Sequence, residues 1–129
     1  MNFKLMILSI IFILPFIHTG CSDEEQTVTA SVKITTPNNN SEYTLGTNIS
    51  LKATITSNDE LHGYIIEISN SDGTQVYSTD EHIHGTSFLL DSTWDSTNQS
   101  VGIYRIKVIG VINHLGDSVF DEIQIQLIE

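Results

Sequence analysis

An all-β sandwich is the fold class this sequence predicts, and three observations predict it. Apolar and polar residues alternate from Val28 onward with the period of two that places successive side chains on opposite faces of a strand. Clusters such as Thr36-Pro37-Asn38-Asn39-Asn40 and Ser71-Asp72-Gly73 punctuate the alternating runs at short intervals. No stretch of the domain repeats its apolar residues at the three- and four-residue spacing of a helix.

The strands follow in order. Val28, Ala30, Val32 and Ile34 mark the first, closed by the turn residues of 36–42. The segment Asn40 to Leu51 reads as a lead-in to the second strand, marked by Ile49, Leu51, Ala53 and Ile55 and ended by Ser57-Asn58-Asp59-Glu60. Leu61 to Ser69 forms the third, and Ser71-Asp72-Gly73 turns it into a fourth over Gln75 to Thr79. A fifth covers Thr86 to Leu90, and two long strands, Ile103 to Ile112 and Ser118 to Ile128, finish the chain around a turn at 113–117. About seven short strands in roughly 100 residues are the pattern of an immunoglobulin-like β-sandwich over residues 28–129. Gly102-Ile103-Tyr104-Arg105 resembles the start of strand F in such domains, which implies that the Tyr104 hydroxyl bonds the backbone of the preceding corner. Trp94 falls before that strand rather than on strand C, and is expected to plug the core at the sandwich edge.

The N-terminus has a different grammar. Lys4, an apolar run of roughly 13 residues from Leu5 to Ile17, and the small residues Thr19-Gly20 have the layout of a secretory signal peptide at 1–20, too short for the ~20 residues of a membrane span. Cys21 is the chain's one cysteine, so no internal disulfide can form. Ile17-His18-Thr19-Gly20-Cys21 resembles the bacterial lipobox, with His18 where Leu is usual, which implies that Cys21 is lipidated and becomes the mature N-terminus. Residues 21–27 then form an acidic tether, and Cys21-Ser22-Asp23-Glu24-Glu25 resembles the export signal that takes Bacteroidota-type lipoproteins to the cell surface. The expected location is the outer membrane, anchored by lipid.

Charge narrows the partners. Beyond residue 20 the chain keeps all 16 acidic residues and only Lys33, Lys52, Arg105 and Lys107 as bases, a formal charge of −12. Nucleic acid is excluded as a partner on this charge, whereas cations and solubility are favoured.

The chemistry lies in the histidines. His62 starts strand C, His114 occupies the F–G turn, and these two sites share one end of an immunoglobulin-like sandwich. Strand C′ returns to the same end and delivers His82 and His84, which project to one side when the segment is extended. Gly63 and Gly85 allow the backbone to approach closely and turn away. His62, His82, His84 and His114 are therefore predicted to share one centre that binds a Zn or Cu ion, with Asp80, Glu81 and Asp117 orienting the rings or adding an oxygen ligand.

The weaker candidates are loop carboxylates Asp72, Asp91 and Asp95 for calcium, set in residues that look like turn chemistry, and Asp-Ser/Thr triplets at 91, 95 and 117 that resemble O-glycosylation acceptors. No nucleophile elbow or phosphate loop is present, and no catalytic residues are assigned: the expectation is a binding protein and not an enzyme. Together the lipobox, Leu61-His62-Gly63-Tyr64, Asp80-Glu81-His82-Ile83-His84-Gly85 and the run Gly102 to Asp117 resemble small Bacteroidota-type surface lipoproteins with one immunoglobulin-like domain of unknown function. That resemblance implies an outer-membrane receptor complex as partner and a role in metal acquisition. The alternative function is an adhesion or accessory lipoprotein that docks to a carbohydrate or an envelope complex without metal.

Overall fold

A computed structural model of the chain describes residues 27–129. The expected signal peptide at 1–20, the expected lipidation site Cys21 and the expected acidic tether as far as residue 26 lie outside the described residues.

Eight strands form two sheets. They are β1 (Ala30–Thr36), β2 (Ser41–Thr44), β3 (Asn48–Leu61), β4 (Gly63–Asn70), β5 (Gln75–Glu81), β6 (Gly85–Asp95), β7 (Gly102–Val111) and β8 (Ser118–Ile128). One sheet has the order β1-β3-β6 and the other β2-β8-β7-β4-β5. All pairs are antiparallel except β2 with β8. Among the described residues there is no helix, and the fold is the immunoglobulin-like sandwich that the alternation predicts.

The alternation is converted into a core. Ile49, Leu51, Ala53 and Ile55 of β3, with Phe88, Leu90 and Trp94 of β6, face Ile66 and Ile68 of β4, Ile106 and Val108 of β7, and Ile123, Ile125 and Leu127 of β8; all are buried. Removing each large side chain from water contributes about 1.5–3 kcal/mol. The edge of the smaller sheet is blunted where Asp121 Oδ2 accepts the Ile34 backbone N–H at 2.8 Å.

Three expectations about strands need correction. The lead-in segment contains β2, because Asn39 Oδ1 accepts the Gln124 N–H at 2.9 Å and the Asn40 N–H donates to Gln124 O at 2.7 Å. These two bonds take the chain from the first sheet to the edge of the second, where β2 pairs parallel to β8. The fifth predicted strand, Thr86 to Leu90, extends as β6 to Asp95, held by pairing Asn48 with Asp95 and Ile49 with Trp94. Trp94 is thus on a strand, buried against Tyr104 with ring centroids 5.3 Å apart. Val28 lies just ahead of β1 and is exposed.

The corner at Tyr104 forms as expected. Its hydroxyl donates to Ser100 O at 2.9 Å and accepts the Ser100 N–H at 3.1 Å. The opposite end of the sandwich is where the chain changes sheets twice. Only His62 separates β3 from β4, and only residues 82–84 separate β5 from β6.

Candidate metal centre

The switch at His62 depends on its neighbour. Gly63 has φ +132°, a conformation that side-chain-bearing residues rarely adopt, and a Cβ there would collide with the Glu81 carbonyl oxygen. The absence of a side chain lets β5 lie against the start of β4 in the register Tyr64 opposite Glu81. His62 is anchored through its backbone, its N–H donating to Val111 O at 2.8 Å. That bond ties it to the end of β7, one residue short of the β7–β8 loop that carries His114.

Residues 82–84 arrive from the other side. Ile83 packs against the core, which turns the flanking His82 and His84 together toward the surface. The result brings together the four histidines that sequence reasoning selected. Ring centroids are 4.2 Å apart for His62 and His114, 4.7 Å for His62 and His84, 5.0 Å for His82 and His84, and 5.9 Å for His82 and His114. Four imidazoles from three segments thus close a ring of contacts.

The electrostatics of this ring are unusual. His62 Nδ1 is buried without any hydrogen-bond partner. Burial first, and then the neighbouring His114 and His84, hold its pKa below the ordinary 6.5, with Glu60 pulling the other way. A neutral imidazole with an unshared ring nitrogen has the electronic state a transition metal requires.

Sequence reasoning missed Glu60. Its Oε1 lies 3.0 Å from His84 Nδ1, and since a carboxylate can only accept, Nδ1 carries the hydrogen of this bond. A carboxylate on one nitrogen of a ring whose other nitrogen can take a metal is the usual support for a ligating histidine. Among the described residues, Glu60, His62 and His84 offer donor atoms all within 4.8 Å of one another. With the Glu60 bond to Nδ1 in place, Glu60 orients the ring and His84 Nε2 is the nitrogen left to face an ion. The signal for Glu60 was the spacing Glu60-Leu61-His62, which puts both side chains on one face of an extended segment.

The three carboxylates expected to orient the rings are placed differently from one another. Asp117 turns away: Asn113 Nδ2 donates to its Oδ2 at 2.7 Å, and Asn113 Oδ1 accepts the Leu115 and Asp117 backbone N–H groups, so this carboxylate closes the β7–β8 turn. Glu81 Oε2 accepts the Tyr64 hydroxyl at 3.1 Å, and burial, with this bond second, pushes the tyrosine pKa up. Asp80 and Glu81 also wall a cavity of about 130 Å³ that opens beside His62, His82 and His114 over Tyr64, Ile65 and Val111. Its volume holds a few waters or a small ligand.

No protein-family model matches the chain, and no curated protein matches it. Solved structures do. The chain is similar to the fibronectin(III)-like modules of Clostridium thermocellum CbhA, with 19% identity over 75% of this chain and 94% of that one and a TM-score of 0.51. It is similar to the CARDB domain of PF1109 from Pyrococcus furiosus, with 12% identity, 79% and 97% coverage and a TM-score of 0.50. A family 123 glycoside hydrolase from Clostridium perfringens matches 80% of this chain at 9% identity and a TM-score of 0.53, but the match spans 27% of that enzyme. At these identities the likeness is one of fold, and it agrees with the immunoglobulin-like β-sandwich of residues 27–129.

Proposed function

We infer that this domain binds one transition-metal ion, Zn or Cu, through its histidine cluster, and that it does so on a lipid-anchored protein of the cell envelope. The observation that carries the reading is His62: its Nδ1 is buried and unpartnered, and its ring centroid lies 4.7 and 4.2 Å from those of His84 and His114. Buried polar atoms are bonded in the great majority of cases, so an orphaned imidazole nitrogen among other imidazoles supports a missing partner that accepts several nitrogen donors.

The role that fits is capture or hand-over of the ion. His82, His84 and His114 are exposed, so an ion reaches the cluster without any opening of the fold. The membrane anchor rests on the lipobox-like Ile17 to Cys21 and the acidic residues after it. An outer-membrane receptor complex is the partner that such an anchored metal carrier would serve.

Equilibrium dialysis of the purified chain against Zn²⁺ or Cu²⁺ tests the reading. The expected result is one ion per chain, lost when His62, His82, His84 and His114 are all replaced by Ala. Equal binding by that variant would sink it.

A further inference from the structure

The cluster has a chemical bias that the histidines alone would not create. Residues 27–129 contain neither Cys nor Met, the chain's one Cys being residue 21 and its two Met residues 1 and 6. The domain therefore offers no thiolate or thioether, the soft donors that favour Cu(I). What it adds to the imidazoles is a hard anionic oxygen. Glu60 Oε1 sits 3.0 Å from His84 Nδ1 and within 4.8 Å of the donor atoms of His62 and His84. Of the other acidic side chains near the rings, Glu81 is held by Tyr64 and Asp117 by Asn113. Asp80 lines the adjoining cavity and makes no hydrogen bond to a ring.

Resting on the metal-binding reading above, we propose that the cargo of this site is a divalent ion, Zn(II) or Cu(II), and that the Glu60 charge makes the site discriminate against Cu(I). A carboxylate at a given distance attracts a dication twice as strongly as a monocation. It also raises the donor strength of the His84 ring by accepting its Nδ1–H. The ion is then taken up and released without a change of oxidation state.

Replacing Glu60 by Gln isolates the charge, because Gln keeps an acceptor oxygen for the His84 N–H. The Glu60 side chain is 59% exposed, so E60Q is expected to fold with the unfolding midpoint of the metal-free parent. The experiment is a chelator-competition titration of the full chain with Zn²⁺ and Cu²⁺ in air and with Cu⁺ under anaerobic reducing conditions. It compares wild type, E60Q and D72N, the last removing a charge from the turn between β4 and β5 at the far end. The expected result is a loss of about 10–100-fold in Zn(II) and Cu(II) affinity in E60Q, a smaller loss of about 3–10-fold for Cu(I), as half the attraction implies, and wild-type behaviour in D72N. Equal losses for Cu(I) and the divalent ions would reduce Glu60 to a positioning residue and overturn the proposal. Unchanged divalent affinity in E60Q would overturn it as well. Wild type that binds none of the three ions is a separate outcome, since it removes the metal-binding reading on which the proposal stands.

Discussion

The two ends of the sandwich are built from the same kinds of element, yet one is closed and the other is open. At the end that carries Trp94, polar groups find partners within the chain. Tyr104 both donates to and accepts from Ser100. Buried Ser96 donates through its hydroxyl to Thr47 O at 2.9 Å and accepts the Gly46 N–H at 3.1 Å. Asn70 Oδ1 accepts the Asp72 and Thr74 N–H groups of the β4–β5 turn. At the other end four imidazoles crowd together and the most enclosed nitrogen has nothing to bond. A fold able to satisfy its buried polar groups at one end has no structural need to leave one orphaned at the other. The difference separates an end whose polar groups are satisfied within the chain from one that leaves a buried imidazole nitrogen without a partner.

Substitutions can break that comparison. The largest effect on stability is expected at the closed end, where Trp94→Ala removes a ring that is 2% exposed and should cost about 3–5 kcal/mol in urea unfolding while leaving metal stoichiometry unchanged. Tyr104→Phe strands the Ser100 N–H and carbonyl, and a loss of about 1–3 kcal/mol is expected, again with no effect on metal. The open end should behave in the opposite way. His62→Ala is expected to change the metal-free stability by no more than about 1 kcal/mol, because it removes a nitrogen that has no partner, yet to abolish the rise in unfolding midpoint that added Zn²⁺ produces. A His62→Ala loss as large as that of Trp94→Ala would show that the cluster is structural.

The alternation of apolar residues made most of the sandwich legible in the sequence, because strand faces and core membership follow from a period of two. The parts that were not legible depend on long-range pairing. β2 is four residues of Ser-Glu-Tyr-Thr whose strand identity comes from β8, some 85 positions away. The end of β6, Asp91 to Asp95, has the composition of a turn and becomes a strand only because Asn48 to Lys52 lie alongside it. At the candidate metal centre the four histidines were legible because topology delivers each hairpin and crossover to a definite end. Glu60 was not, since Ser57 to Glu60 read as a strand terminator while β3 runs through it to Leu61, with a register shift between Thr56 and Leu61. Asp117 is engaged within its own turn, where Asn113 Nδ2 donates to its Oδ2, a bond set by the turn geometry and not readable from nearness to His114 in sequence.

Smaller effects sharpen the contrast. His62 is held neutral below its ordinary pKa of 6.5, so the unfolded chain binds a proton more readily than the folded one. Its contribution is therefore fully present above about pH 6.5 and lost as pH falls from there through the lowered folded value. Urea midpoints of the metal-free chain should decline over that window, and less so in His62→Ala. The smallest effect belongs to the surface pair Lys52 and Asp91, 3.1 Å apart but half and more exposed. Asp91→Asn is expected to shift stability by under about 1 kcal/mol and to leave metal binding untouched.

The central claim, that one ion sits among these histidines, is tested most directly by anomalous diffraction from crystals of the chain grown with Zn²⁺ or Cu²⁺. The account predicts one strong peak within bonding distance, about 2.0–2.1 Å, of ring nitrogens from His62 and His84, with His82 or His114 completing the shell. A peak confined to surface carboxylates such as Asp72, Asp91 or Asp95, with the four rings free of metal, would contradict it.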